Sequence, residues 1–445
     1  MTDKVVQLIR RFRPMTHLGE WAFLFPDTSS RVQRWHEMES SYRVLILADP
    51  GAGKTFEALD RANKYHEAGR KAFFIRIERI DANFAEAFEV GTATDFETWL
   101  SSSEEGWFFL DSVDEAQLET PRALERAIQV FGDRIYGALE RAHIFITSRE
   151  DAWEGLSDRT LIKEHLPHST LQDDGSDDKA PRRGDDGLVA FRLAGLSLNE
   201  IKLFAIQYGV SDVNAFVSAI DHGNLMPLAE RPFDLKALTK KWNADGYLGS
   251  RFDVLTRLVD LQVAPLATAK TGPRISMERG RDGVRNLAAA AMLTGKSIIR
   301  LPEGVLTADR IDPATVLSGW SDAEIGALLR TGIFDDIVYG SVRFRHREIR
   351  ELLAAQWAAD QLQNPSALNS VQDLFFRSIY DVTVIIPRMR PALTWMILLD
   401  DAIRDRALTL EPDLATEGGD PSRLPQPVRQ AMLANIVARI AQESE

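Results

Sequence analysis

The sequence predicts an α/β domain, a parallel sheet with a phosphate-binding loop at its edge, followed by a mostly helical remainder; three observations predict it. Arg43-Val44-Leu45-Ile46-Leu47 runs into Ala48-Asp49-Pro50-Gly51-Ala52-Gly53-Lys54-Thr55, and helical spacing follows from Thr55 to Ala68. A buried strand turning through a glycine loop into a helix is the context a phosphate-binding loop requires. Lys71 to Ile77 then reads as a second strand, which makes a right-handed βαβ unit with parallel strands. Trp107-Phe108-Phe109-Leu110-Asp111 is apolar up to its acidic end, as a strand buried on both faces reads.

In the loop, Gly51 and Gly53 let the backbone curl until successive N–H groups point inward, and the helix N-terminus adds its positive end. Pro50, Gly51, Ala52, Gly53, Lys54 and Thr55 thus form a cradle for a polyphosphate. Lys54 would reach the β- and γ-phosphates, and the Thr55 hydroxyl would ligate Mg²⁺. The strict pattern has glycine where Ala48 stands, but the Gly-x-Gly-Lys-Thr core is intact.

Asp111 ends its strand at the carboxyl edge, where open α/β sheets bind ligands, and is the second Mg²⁺ candidate. Asp114 and Glu115, one short turn on, are placed to orient or deprotonate an attacking water. Thr120 to Arg141 has helical spacing and leads into the strand His143-Ile144-Phe145-Ile146-Thr147-Ser148-Arg149, whose Arg149 would sense a terminal phosphate. A polar helix is expected around Thr94 to Ser101. Residues 169 to 187, nearly devoid of apolar side chains, read as an acidic surface loop. Leu188 to Leu193 is a fifth strand, and Ser197 with Glu200 has capping-box spacing for a helix running to about Tyr208.

Composition bounds the rest. A chain of 445 residues exceeds what one core serves, so roughly two to four domains are expected. No apolar run reaches the ~18 residues of a membrane span, and Met1 to Pro14 has its arginines after its apolar residues, unlike a secretory leader. The absence of cysteine excludes disulfides and thiolate metal sites and suits a reducing cytoplasm. A net charge of −13 argues against broad affinity for nucleic acid.

Together the loop, Asp111-Ser112-Val113-Asp114-Glu115 and Thr147-Ser148-Arg149 resemble the NACHT group of STAND nucleotide-binding proteins, relatives of the AAA+ ATPases. The resemblance implies a P-loop NTPase sheet of order 5-1-4-3-2, with the Arg149 strand between those of Lys54 and Asp111. It also implies ATP or ADP with Mg²⁺ as ligands. Leu228 to Leu235 resembles the family's proline-bearing motif, which would put Pro232 near the adenine. Phe344 to Ala355 resembles a STAND motif whose histidine, here His346, touches the β-phosphate of bound ADP and holds the closed state.

The domains expected are a lead-in at 1–41, the NTPase domain at 42–200, a small helical domain at 201–275, a winged helix at 276–365 and a helical tail or partial sensor at 366–445. The lead-in aromatics Trp21, Phe23, Phe25 and Trp35 are read as packing on the sheet. The winged helix rests on helices near Arg279 to Leu293 and Asp322 to Leu329 and a hairpin over Ile333 to Arg345 with Gly340 in its turn.

The function expected is a nucleotide-dependent switch: ADP keeps the chain closed, ATP drives self-assembly, and slow hydrolysis resets it. The resemblance implies a role in prokaryotic antiphage defence or signalling, with a protein trigger and an effector supplied elsewhere. The alternative is an AAA+-like regulatory ATPase assembling on DNA, as in transposition or replication loading. Arg343, Arg345, Arg347 and Arg350 are basic enough for phosphate, but the interleaved Glu348 and Glu351 favour internal pairing. A third class is a nucleotide-stabilised scaffold without turnover.

Overall fold

A computed structural model describes residues 8–15, 32–49, 51–81, 83–111, 121–149, 153, 155–168, 187–269, 272–335, 337, 340–380 and 382–443. The chain forms two units, Met1–Val217 with Met226–Ala244, and Ser218–Leu225 with Asp245–Glu445. The acidic loop of the sequence reading lies outside the described residues apart from Gly187, and so do Trp21, Phe23 and Phe25.

The first unit is organised on one sheet. Its strands are β1 (Phe12–Met15), β2 (Arg43–Leu47), β3 (Lys71–Arg76), β4 (Phe88–Val90), β5 (Gly106–Asp111), β6 (Ala142–Ser148) and β7 (Leu188–Leu193), in the order β1-β7-β2-β6-β5-β3-β4. The inner strands β7, β2, β6, β5 and β3 run parallel, while β1 and β4 close the two edges antiparallel. β2 and β6 are buried at every position, as central strands covered on both faces must be.

Alternation along the strands divides the core in two. On one face Val44, Ile46, Phe74, Phe109, Phe145 and Phe191 pack with Ala58, Ala62 and Tyr65 of α1 (Lys54–Glu67), and with Phe12 and Trp35 of the lead-in. Phe109 stacks on Phe145 at 5.0 Å and meets Trp35 edge-on. On the other face Phe108 stacks on Phe73 at 5.1 Å. Trp99 of α2 (Ala93–Leu100) and Phe131 of α3 (Pro121–Ile135) meet Phe108 edge-on. The helical spacing read to Arg141 splits, because a 3₁₀ stretch, Tyr136–Arg141, follows α3.

Gly132 of α3 allows a close approach to α4 (Gly155–His165): a Cβ there would fall 2.2 Å from the His165 carbonyl oxygen. Just beyond α4, Leu166 and Pro167 are held by Arg43. This arginine, 1% exposed, donates to the carbonyls of Leu166, Pro167, Leu139, Ala142 and Tyr42. Burial lowers its pKa to about 10. The capping box is formed at α5 (Leu198–Gln207): the Ser197 N–H donates to Glu200 and the Glu200 N–H to Ser197. α6 (Pro232–Asp245) completes the part of this unit that bears on the loop.

The second unit is mainly helical. α8 (Met277–Thr294) packs against α7 (Arg251–Ala267) and α10 (Arg347–Gln361), with α9 (Asp322–Leu329) also against it. A small sheet has the order β10 (Ser341–Val342), β8 (Ile298–Arg300), β9 (Arg310–Ile311). The hairpin expected over 333–345 forms only in part. Phe334 and Phe344 make an isolated bridge, whereas β10 pairs with β8. The Asp335 carboxylate takes the Arg343 N–H at 2.7 Å, doing the work of a ladder carbonyl.

The tail includes α11 (Arg390–Met396) and α12 (Gln426–Glu443) but is not all helical. β11 (Phe376–Ile379) and β12 (Val382–Ile385) form an exposed hairpin, with Tyr380 at φ 49° beside the turn.

Candidate functional site

The carboxyl ends of β2, β5 and β6 bring Lys54, Thr55, Asp111 and Arg149 to one edge of the sheet. β2 ends at Leu47, and the chain passes through Gly51 at φ 77° and Gly53 at φ 93° before α1 begins at Lys54. At Gly53 a side chain would be strained by the left-handed backbone, which is why glycine stands there. Lys54 is buried, and its Nζ donates to the Ala48 carbonyl across the loop at 3.0 Å. Pro50 lies outside the described residues.

Asp111 is fully buried at the end of β5. Its cross-strand neighbours hold it from both sides: Thr147 on β6 donates to Oδ1 at 2.5 Å, and Arg76 on β3 donates to Oδ2 at 2.9 Å. Lys54 and Thr55 open α1 close enough to act on this carboxylate. Burial pushes the Asp111 carboxyl up to about 6, while Thr147, Arg76, Thr55 and Lys54 all favour its charged form. Arg76 is itself tied to Glu89 at 2.8 and 3.2 Å.

These groups suit a small hard cation. Among the described residues there is no cluster of three or more His, Cys, Asp or Glu. One buried carboxylate beside a hydroxyl is instead the donor set that holds Mg²⁺ when phosphate oxygens and water supply the remaining ligands. Ser148 is in register with Leu47, so Arg149, 3% exposed, follows β6 beside the start of the loop. Asp114 and Glu115 lie outside the described residues.

The N-terminus of α6 meets the loop from another side. Arg231 pairs with Asp49 at 2.9 Å, and Phe233 donates its N–H to the Gly51 carbonyl at 3.5 Å. The Pro232 ring lies 3.8 Å from where a Cβ on Gly53 would stand. His346 belongs to the second unit, buried at the residue preceding α10.

Two arginines were missed by the sequence reading. Arg76 ends a parallel strand at the same edge as Asp111, a positional signal that was there to be used. Arg10 sits in the lead-in, two residues before β1. It is 3% exposed and bonds the loop carbonyl of Ala52. Nearby, Glu57 of α1 is also buried and takes the Trp35 indole N–H at 3.4 Å. Burial raises its carboxyl to about 7 against the opposing pull of Arg10 and Trp35.

No protein-family model and no curated protein matches this chain. Among solved structures it is similar to a replication initiator DnaA bound to AMPPCP and single-stranded DNA. That likeness has 15% identity and a TM-score of 0.31, over 58% of this chain and 75% of the other. It is also similar to the Walker-type ATPase PABY2304 of Pyrococcus abyssi, with 15% identity and a TM-score of 0.33 over 72% and 92% of the two chains. The architecture itself, a mostly parallel sheet whose carboxyl edge carries a glycine loop opening a helix, is that of a P-loop NTPase.

Proposed function

We propose that this protein binds ATP and ADP with Mg²⁺ at the carboxyl edge of the sheet, hydrolyses ATP slowly, and uses the cycle as a switch of the STAND type. The observation that carries the reading is Asp111: buried at a strand end, with Thr55 and Lys54 of the loop both favouring its charged form.

In this reading the loop N–H groups and Lys54 bind the phosphates, and Lys54 leaves its Ala48 contact to do so. Thr55 at the start of α1 and Asp111 at the end of β5 would hold the cation. When bound, Mg²⁺ supplies charge neutralisation at the β- and γ-phosphates. Asp114 and Glu115 direct the attacking water, and Arg149 carries charge to the terminal phosphate. Pro232, over Gly53, borders the base. The second unit contributes a winged helix at 276–365 and, in His346, a contact that favours the ADP state. Exchange for ATP then permits self-assembly. A role in antiphage defence rests on family analogy alone.

The test is to identify the nucleotide that co-purifies and to measure the mass of the protein with ADP and with a nonhydrolysable ATP analogue. ADP in a monomer and oligomers with the analogue are expected. A Lys54→Ala protein that binds and hydrolyses ATP like the parent would sink the assignment.

A further inference from the structure

Arg10 makes two contacts that join segments far apart in the chain. Its Nη1 donates to the Ala52 carbonyl in the glycine loop at 2.9 Å, and its Nη2 donates to the Ala194 carbonyl just after β7 at 2.9 Å. The guanidinium also lies 3.3 Å from where a Cβ on Gly53 would stand. Glu57 on α1 and Glu200 on α5 act favourably on its charge.

Enclosing a guanidinium is unfavourable unless its donors are used. An apolar side chain would fasten the lead-in to the sheet without that cost, as Phe12 does two residues later at 0% exposure. The choice of arginine therefore points to the carbonyls it holds. In a trans peptide the carbonyl and the following N–H point to opposite sides. Fixing the Ala52 oxygen toward Arg10 therefore turns the Gly53 N–H to the other side of the loop.

We propose that Arg10 is a positioning residue for the phosphate loop, holding the Ala52–Gly53 peptide so that the Gly53 N–H faces an incoming phosphate. This rests on the reading of the loop as a nucleotide site. It makes the lead-in a working part of that site. Without Arg10 the peptide is free to rotate, and the loop must be ordered by the ligand at a cost in affinity.

The sequence supplies a direct probe. Ala–Gly peptides occur at 52–53, 68–69 and 194–195 only. Arg10 holds the carbonyls of the first and third, and Ala68–Gly69, at the end of α1, is an internal control. Labelling with ¹³C-carbonyl alanine and ¹⁵N-glycine gives one filtered amide signal for each. In Arg10→Lys and Arg10→Ala the 52–53 and 194–195 signals are expected to move while 68–69 stays.

ADP and ATP binding by the full chain are then measured beside Phe12→Leu, which trims the packing of the edge strand and keeps the Arg10 guanidinium. Arg10→Ala is expected to weaken both nucleotides at least tenfold and Arg10→Lys to recover part of that. Phe12→Leu is expected to lower the melting temperature and leave affinity unchanged. Arg10→Lys preserves the charge, so it keeps the test open if the alanine variant does not fold. Parent-like nucleotide affinity in Arg10→Ala, or in Arg10→Lys with the 52–53 signal unmoved, would overturn the proposal. So would an equal loss in Phe12→Leu. A parent that binds neither nucleotide overturns the nucleotide reading instead, and the peptide signals still report whether Arg10 holds the loop.

Discussion

Thr147 donates to Asp111 from the position directly opposite on the neighbouring strand, at 2.5 Å in a site closed to solvent. A valine there keeps the shape and loses the donor, which leaves a buried carboxylate oxygen short of a partner at a cost of about 1–3 kcal/mol. Thr147→Val is expected to lower the urea midpoint and to raise the Mg²⁺ concentration needed for ATP hydrolysis, with Thr147→Ser restoring both. Denaturation curves and a Mg²⁺ titration check it.

Arg76 supplies the cation on the other side of Asp111. Asp111 is fully buried and Arg76 partly so, and removing the arginine leaves the carboxylate without its paired charge, a loss on the order of 1–3 kcal/mol. Arg76→Met is therefore destabilising. The double variant with Asp111→Asn should recover much of the loss. A double-mutant cycle by chemical denaturation measures that coupling, and additive losses would contradict the pairing.

Arg43→Met strips the donors from the carbonyls of Leu139, Ala142, Leu166, Pro167 and Tyr42. A loss on the order of 3 kcal/mol is expected, as several buried carbonyls go unmet together. Arg43 begins β2, and the loop follows its other end, about 13 Å away at the usual strand rise. ADP affinity of the folded protein should accordingly stay at the parent value, as calorimetry can show.

Glu351 in α10 is buried, and burial raises its carboxyl above the usual range despite Arg347 at 2.6 Å. A carboxyl whose folded pKa is raised contributes stability that is complete below its unfolded pKa and is lost as pH rises through the folded one. Glu351→Gln escapes that loss. Parent and variant should unfold at similar urea concentrations near pH 4, with the variant pulling ahead as the pH approaches 8.

The parallel strands and the loop were legible because burial on both faces forces unbroken apolar runs, and because Gly51, Gly53, Lys54 and Thr55 are constrained by backbone geometry and by chemistry alike. β1 and β4 were missed for the opposite reason. Edge strands of three or four residues, FEV and FRPM, carry no pattern of their own and exist because a neighbour offers a ladder. The hairpin over 333–345 is paired between its arms, Asp335 N–H to the Arg343 carbonyl and Arg345 N–H to the Ile333 carbonyl, but strand propensity does not name the further partner: Val342 pairs with Ile299. Arg76 is marked by its place at the end of a parallel strand, whereas Arg10 is opaque because an arginine away from any strand end becomes informative only when its burial and its acceptors are known.

The antiparallel pairing of β1 with β7 also bears on how the molecule is made. Arg10 waits for a carbonyl 184 positions later in the chain, and Phe12 for Leu193. During synthesis these early residues emerge long before the strand that receives them, so the closing of this edge is set by the slow, long-range side of folding. The edge that Arg10 and Phe12 close can therefore form only once β7 has been made.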